Sequence, residues 1–84
     1  MDKSFYAYTK LIDAGFKVEM HNNGKQLNVR DKKGIMQSFY TSGTIVIHDS
    51  DNNIYSVYNK TIEDFINILS FPETLNWIIG VCDE

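Results

Sequence analysis

Phe16-Lys17-Val18-Glu19-Met20-His21-Asn22-Asn23-Gly24-Lys25-Gln26-Leu27-Asn28-Val29-Arg30 decides how this chain folds. Apolar and polar residues alternate from Phe16 to His21, so Phe16, Val18 and Met20 share one face of a strand and Lys17, Glu19 and His21 the other. Asn22-Asn23-Gly24 tolerates positive φ and reverses the chain. Gln26 to Arg30 then returns with Leu27 and Val29 inward and Asn28 and Arg30 outward. A half-buried antiparallel hairpin is the expected unit.

The same pattern continues downstream. Asp31-Lys32-Lys33-Gly34 is a second turn, and Ile35 to Thr41 is a third strand whose facing the sequence leaves open. Ser42-Gly43 turns into a fourth strand, Thr44 to His48, with Ile45 and Ile47 on one face. Asp49-Ser50-Asp51-Asn52-Asn53 is a polar turn, and Ile54 to Tyr58 reads as a fifth strand at an edge. Short turns require antiparallel neighbours.

Helices flank this sheet. Upstream, Phe5, Tyr8, Leu11 and Ile12 recur at helical spacing between Ser4 and Ala14, and Gly15 stands where a left-handed residue ends a helix. Downstream, Thr61 and Asp64 have the spacing of a capping box, and Ile62, Phe65, Ile66 and Leu69 form a stripe. Pro72 forces a break near Ser70-Phe71 and suits the first turn of a last helix reaching about Cys82. The expectation is an α+β fold, a four- to five-stranded antiparallel sheet with an N-terminal helix and two C-terminal helices, built as one domain over 1–84. One sheet face is covered by helices and the other is left to solvent.

Eighty-four residues, 43% of them hydrophobic and 13% aromatic, suffice for one modest core. The single Cys cannot form an intrachain disulfide, and no apolar run approaches the length that crosses a bilayer. Cytoplasmic residence is the expectation.

Chemical motifs are broken or absent. Asp49, Asp51 and Asn53 match positions 1, 3 and 5 of a calcium loop, but Ile54 replaces the required Gly and Lys60 the required Glu. His21 and His48 lack metal-ligand spacing, no Ser sits in a nucleophile elbow, and the five Gly residues are dispersed. Cys82 falls on an apolar stripe followed by two acids, which is no place for a reactive thiolate. No catalytic residue, metal ligand or cofactor is assigned, and the chain is read as a non-enzyme.

Charge is what remains. The formal net charge of −3 hides a sum of +3 over residues 1–42 and −6 over residues 43–84. Asp49, Asp51, Glu63, Asp64 and Glu73 are the expected partner-binding residues, able to imitate a phosphate backbone before a basic groove and to steer association. The alternative is a nucleic-acid-binding module using Lys25, Arg30, Lys32, Lys33 and Tyr40 for phosphate contact and base stacking. Self-association through an open sheet edge, or through an aromatic patch of Tyr55, Tyr58 and Trp77, is compatible with either.

The small size, the acidity, the Asn/Ile/Lys-rich usage and the helix–antiparallel sheet–helix order resemble the small inhibitors made by phages and mobile elements, among them the anti-CRISPR proteins. This resemblance covers the general plan and no diagnostic motif, and it lends no residue a role. It implies a protein partner that is a nuclease or another nucleic-acid-binding defence protein. Tyr40-Thr41-Ser42-Gly43-Thr44-Ile45-Val46-Ile47 also has a likeness to sheet-and-helix DNA-binding domains of the TATA-box-binding type.

Overall fold

Five strands run as a meander, each hydrogen-bonded to the next in chain order: β1 (Val18–His21), β2 (Gln26–Arg30), β3 (Met36–Tyr40), β4 (Thr44–His48) and β5 (Ile54–Val57). Helix α1 (Lys3–Asp13) precedes them and α2 (Ile62–Ser70) follows. The structure is a computed structural model and describes residues 3–74. All four pairings are antiparallel. The expected helix from Pro72 to Cys82 extends beyond the described residues, as do Trp77 and Cys82.

Local chemistry places the ends of the elements. Gly15 has φ +95; its N–H donates to the Ile12 carbonyl and the Phe16 N–H to the Leu11 carbonyl, the paired closure that ends a helix at a left-handed residue. Thr61 caps α2 as expected: its hydroxyl accepts from the Asp64 N–H, and the Asp64 carboxylate accepts from the Thr61 N–H.

The turns at β2–β3 and β4–β5 are built alike. Asp31 Oδ1 accepts the N–H groups of Lys33 and Ile35, and Asp49 Oδ1 those of Asp51 and Asn53. The other oxygen takes a side chain six residues on, Gln37 Nε2 for Asp31 and the Tyr55 hydroxyl for Asp49. Both turns need a left-handed residue at the same place, supplied by Gly34 (φ +84) and Asn52 (φ +67).

Register sorts the faces. Val18 opposes Val29, Met20 opposes Leu27, Leu27 opposes Phe39, Phe39 opposes Ile45, and Ile45 opposes Val57. That face carries the core. Both helices lie on it, with Phe65 of α2 stacked on Phe39 at 5.6 Å between ring centroids. Leu11, Leu27, Val29, Ile45 and Phe65 are fully buried, each a side chain whose burial stabilises by about 1.5–3 kcal/mol.

The α1 stripe differs from expectation. Ala7 and Leu11, one turn apart, are the buried residues, whereas Phe5 is 59% and Ile12 43% exposed. Close approach to the sheet is achieved through the small Ala7, which leaves Phe5 and Ile12 facing away. In β3, whose facing the sequence left open, Phe39 points inward together with Gln37, a polar residue only 3% exposed on an apolar face.

Candidate functional site

The face opposite the helices is built from the alternate residues of every strand. Glu19, Asn28, Ser38, Val46 and Ser56 form one continuous row across all five strands. His21, Gln26, Tyr40 and Thr44 form a second row toward one end, and Arg30 pairs with Met36 and His48 with Ile54 toward the other. Neither described helix covers these rows.

Hydrogen bonds organise the middle of the face. Ser38 Oγ donates to Asn28 Oδ1 at 2.7 Å, Gln26 Nε2 donates to the same oxygen at 3.0 Å, and Asn22 Nδ2 donates to Gln26 Oε1 at 2.8 Å. The chain of amides and a hydroxyl holds its side chains in one arrangement and satisfies them locally. His21 Nε2 lies 3.3 Å from Glu19 Oε1. His48 sits at the other end of the sheet from His21, and its Nδ1 is a buried polar atom without a partner among the described residues.

The acids expected to bind a partner are divided between the two ends of the sheet. Asp49 and Asp51 lie in the β4–β5 turn, beyond the His48–Ile54 pair. Glu63 and Asp64 open α2 at the opposite end, where the Lys60 N–H donates to the Gly43 carbonyl. Glu73 follows α2 and returns to the Asp49 end; its neighbour Pro72 lines a small cleft with Asp31, Lys33 and Asp49. A five-residue strand separates the two groups by about 17 Å.

Several of these carboxylates are engaged inside the fold. Both Asp49 oxygens accept hydrogen bonds, first among them that from the Asn53 backbone, and these hold its pKa below the ordinary carboxylate range. N–H groups converge on the carboxylate that a calcium loop would turn toward its ion. Burial, and then the Asp49 charge, push the Tyr55 hydroxyl pKa up. Asp64 caps α2. Glu63 accepts the Tyr6 hydroxyl at 2.7 Å and lies 4.0 Å from Lys10 Nζ. That hydroxyl, then the Glu63 backbone N–H and the Lys10 charge, lower the Glu63 pKa, while the Tyr6 pKa is raised by the same bond. The Asp51 and Glu73 side chains stay exposed.

The basic set is split as well. Lys25 and Tyr40 stand at the end of the sheet that carries Glu63, and Lys32 and Lys33 at the end that carries Asp49. Arg30 reaches its own turn, donating to the Gly34 carbonyl at 2.7 Å. Positive and negative halves of the sequence are therefore interleaved at each end. Of the expected aromatic patch, Tyr55 bonds Asp49 on the core side, Tyr58 is exposed just past β5, and Trp77 lies outside the described residues.

Lys17 counts toward the basic half but is absent from the expected contact residues. Continuing the β1–β2 register puts it opposite Arg30 on the open face. With Arg30 and Lys32, and beside Glu19 and Asp31, it lines a groove of about 740 Å³ that also includes Phe16 and Val18. The period-two alternation in the sequence carried this signal, but only the register brings Lys17 to Arg30. Among the described residues no group of three or more His, Cys, Asp or Glu side chains is placed to hold a metal, and no helix is long and apolar enough to cross a membrane. No family model matches the chain, and comparison with curated proteins and with solved structures finds no match.

Proposed function

We propose that this chain is a non-enzymatic protein-binding domain that inhibits a nucleic-acid-handling host defence protein, with the open face of the sheet as its contact surface. One observation carries the reading: a face five strands wide is left uncovered by the described helices and presents an ordered row from Glu19 to Ser56. Exposed Asp51 and Glu73 both belong to the Asp49 end of the fold, where each can steer a basic partner toward the molecule. The inhibitory role rests on the general plan shared with small phage inhibitors.

Capture from a bacterial lysate, identification of the retained protein and measurement of its binding rates test this reading. Asn28→Arg on the open face is expected to abolish capture. Asp51→Lys with Glu73→Lys is expected to slow association and flatten its salt dependence while leaving dissociation nearly unchanged. Full binding by the Asn28→Arg variant eliminates the open face as the contact surface.

The Lys17–Arg30 pairing favours nucleic acid as a second reading, since Glu19 is the only acid among the strand residues of the open face. It predicts salt-sensitive binding of an oligonucleotide, with a slope reduced by roughly one when Lys32 is replaced by Ala.

A further inference from the structure

The two edges of the sheet are unequal. At the β1 edge the exposed charges of Lys17 and Glu19 interrupt any row of apolar side chains, a common protection against strand addition. At the β5 edge, Ile54-Tyr55-Ser56-Val57-Tyr58 contains no charge and no Pro. The Asp49 N–H donates to the Asn53 carbonyl, so in the alternating antiparallel ladder Asn53, Tyr55 and Val57 turn their backbone groups toward β4. Ile54 and Ser56 turn theirs away from the sheet. Beside this row, unpaired among the described residues, Ile54 on the open face is 63% exposed and Tyr58, next after β5, 64%.

We propose that the β5 edge pairs with the β5 edge of a second copy of this chain, joining two sheets into one. The segment is self-complementary about Ser56. An antiparallel two-fold centred there sets Ser56 against Ser56 of the second copy and Ile54 against its Tyr58, with outward backbone groups meeting outward groups. The same register brings Asn52, and Asp51 beside it, to Lys60 of the second copy. Lys60 is the only Lys or Arg after Lys33, so the two ends of the seam are oppositely charged and match when the copies run antiparallel. The second copy therefore fits both the backbone pattern and the charge pattern of this edge. The pairing is independent of which partner the open face binds.

Sedimentation velocity of the full chain, from micromolar to near-millimolar concentration, tests the proposal. A seam of one strand pair is at the small end of specific interfaces, so a dissociation constant of about 1–100 µM is expected. Ser56→Pro removes an outward N–H that the β4 ladder does not use, and it should weaken the dimer at least about tenfold. Ile54→Lys changes an exposed side chain and provides the same test should Ser56→Pro disturb folding, which circular dichroism reports. Lys60→Asp and Asp51→Lys should each weaken the dimer, and the two together should restore it. A monomer at every concentration overturns the proposal. So does a dimer that survives Ile54→Lys unchanged, or a charge swap that does not restore association.

Discussion

The side-chain amide of Gln37 takes the place of a peptide group against His48: its Nε2 donates to the His48 carbonyl at 2.8 Å, and its Oε1 accepts the His48 N–H at 2.6 Å. Continuing the β3–β4 register would bring Met36 to this position, but the strand pairing ends at Ser38 and Val46. Gln37 completes the ladder with its side chain, and its Nε2 also donates to Asp31 Oδ2 at 3.1 Å. One buried residue thereby joins two strands to the β2–β3 turn.

Gln37→Leu keeps the volume and removes all three hydrogen bonds. It leaves the His48 N–H and carbonyl unsatisfied, at a cost of about 1–3 kcal/mol for each group that water cannot reach. Urea denaturation should show the loss as a lower midpoint with little change in slope. Gln37→Glu should cost more at neutral pH, because a carboxylate would face the His48 carbonyl and Asp31, and it should recover on acidification. Wild-type stability in Gln37→Leu would refute this role.

The lowered pKa of Asp49 makes a signed prediction about acid. A carboxylate held below its unfolded value contributes stability above that value, and the contribution is lost as pH falls through the folded pKa. Asp49→Asn should therefore melt below wild type at neutral pH, and the gap should close on acidification. Asp51→Asn, in the same turn but exposed, should track wild type throughout. Thermal melts of the three proteins from neutral to acid pH check this.

Tyr6 joins α1 to α2 through Glu63. Tyr6→Phe removes the principal cause of the lowered Glu63 pKa, so carboxylate titration by NMR should find that pKa moved up toward its ordinary value. The bond is exposed, and its loss should cost less than about 1 kcal/mol.

Gly24 and Gly34 separate strain from crowding. Both have φ near +85, at +87 and +84, but a Cβ on Gly24 would lie 2.8 Å from Ser4 Oγ, whereas one on Gly34 would meet nothing within 4 Å. Gly34→Ala should cost about 1 kcal/mol for the left-handed conformation alone. Gly24→Ala should cost more, because Ser4 must shift as well. Equal midpoints for the two variants in a denaturant titration would count against the crowding.

Much of this organisation was legible in local patterns. Leu27 and Val29 point inward because a strand has a period of two, and Thr61 with Asp64 closes a capping box because both partners lie within one turn of chain. Gln37 was not legible: a polar residue at an inward position has no local signature when its partner is the backbone of His48, eleven residues away. The α1 stripe was misread for a similar reason, since the short Ala7 packs where a helix must approach a sheet closely and a hydropathy pattern favours the larger Phe5 and Ile12.

By itself the sequence determined the strands, their turns, the end of α1 and the start of α2, because each follows from side-chain period or from hydrogen bonds spanning a few residues. Tertiary structure alone decided how charge is distributed. The +3 and −6 halves were a fact of chain order, but an antiparallel meander returns the chain to the same two ends again and again. Lys32 and Lys33 therefore come to the Asp49 end, and Lys25 to the Glu63 end. The same meander leaves β5, among the described residues, with one strand neighbour, and the edge position of a strand follows from topology and not from any local pattern.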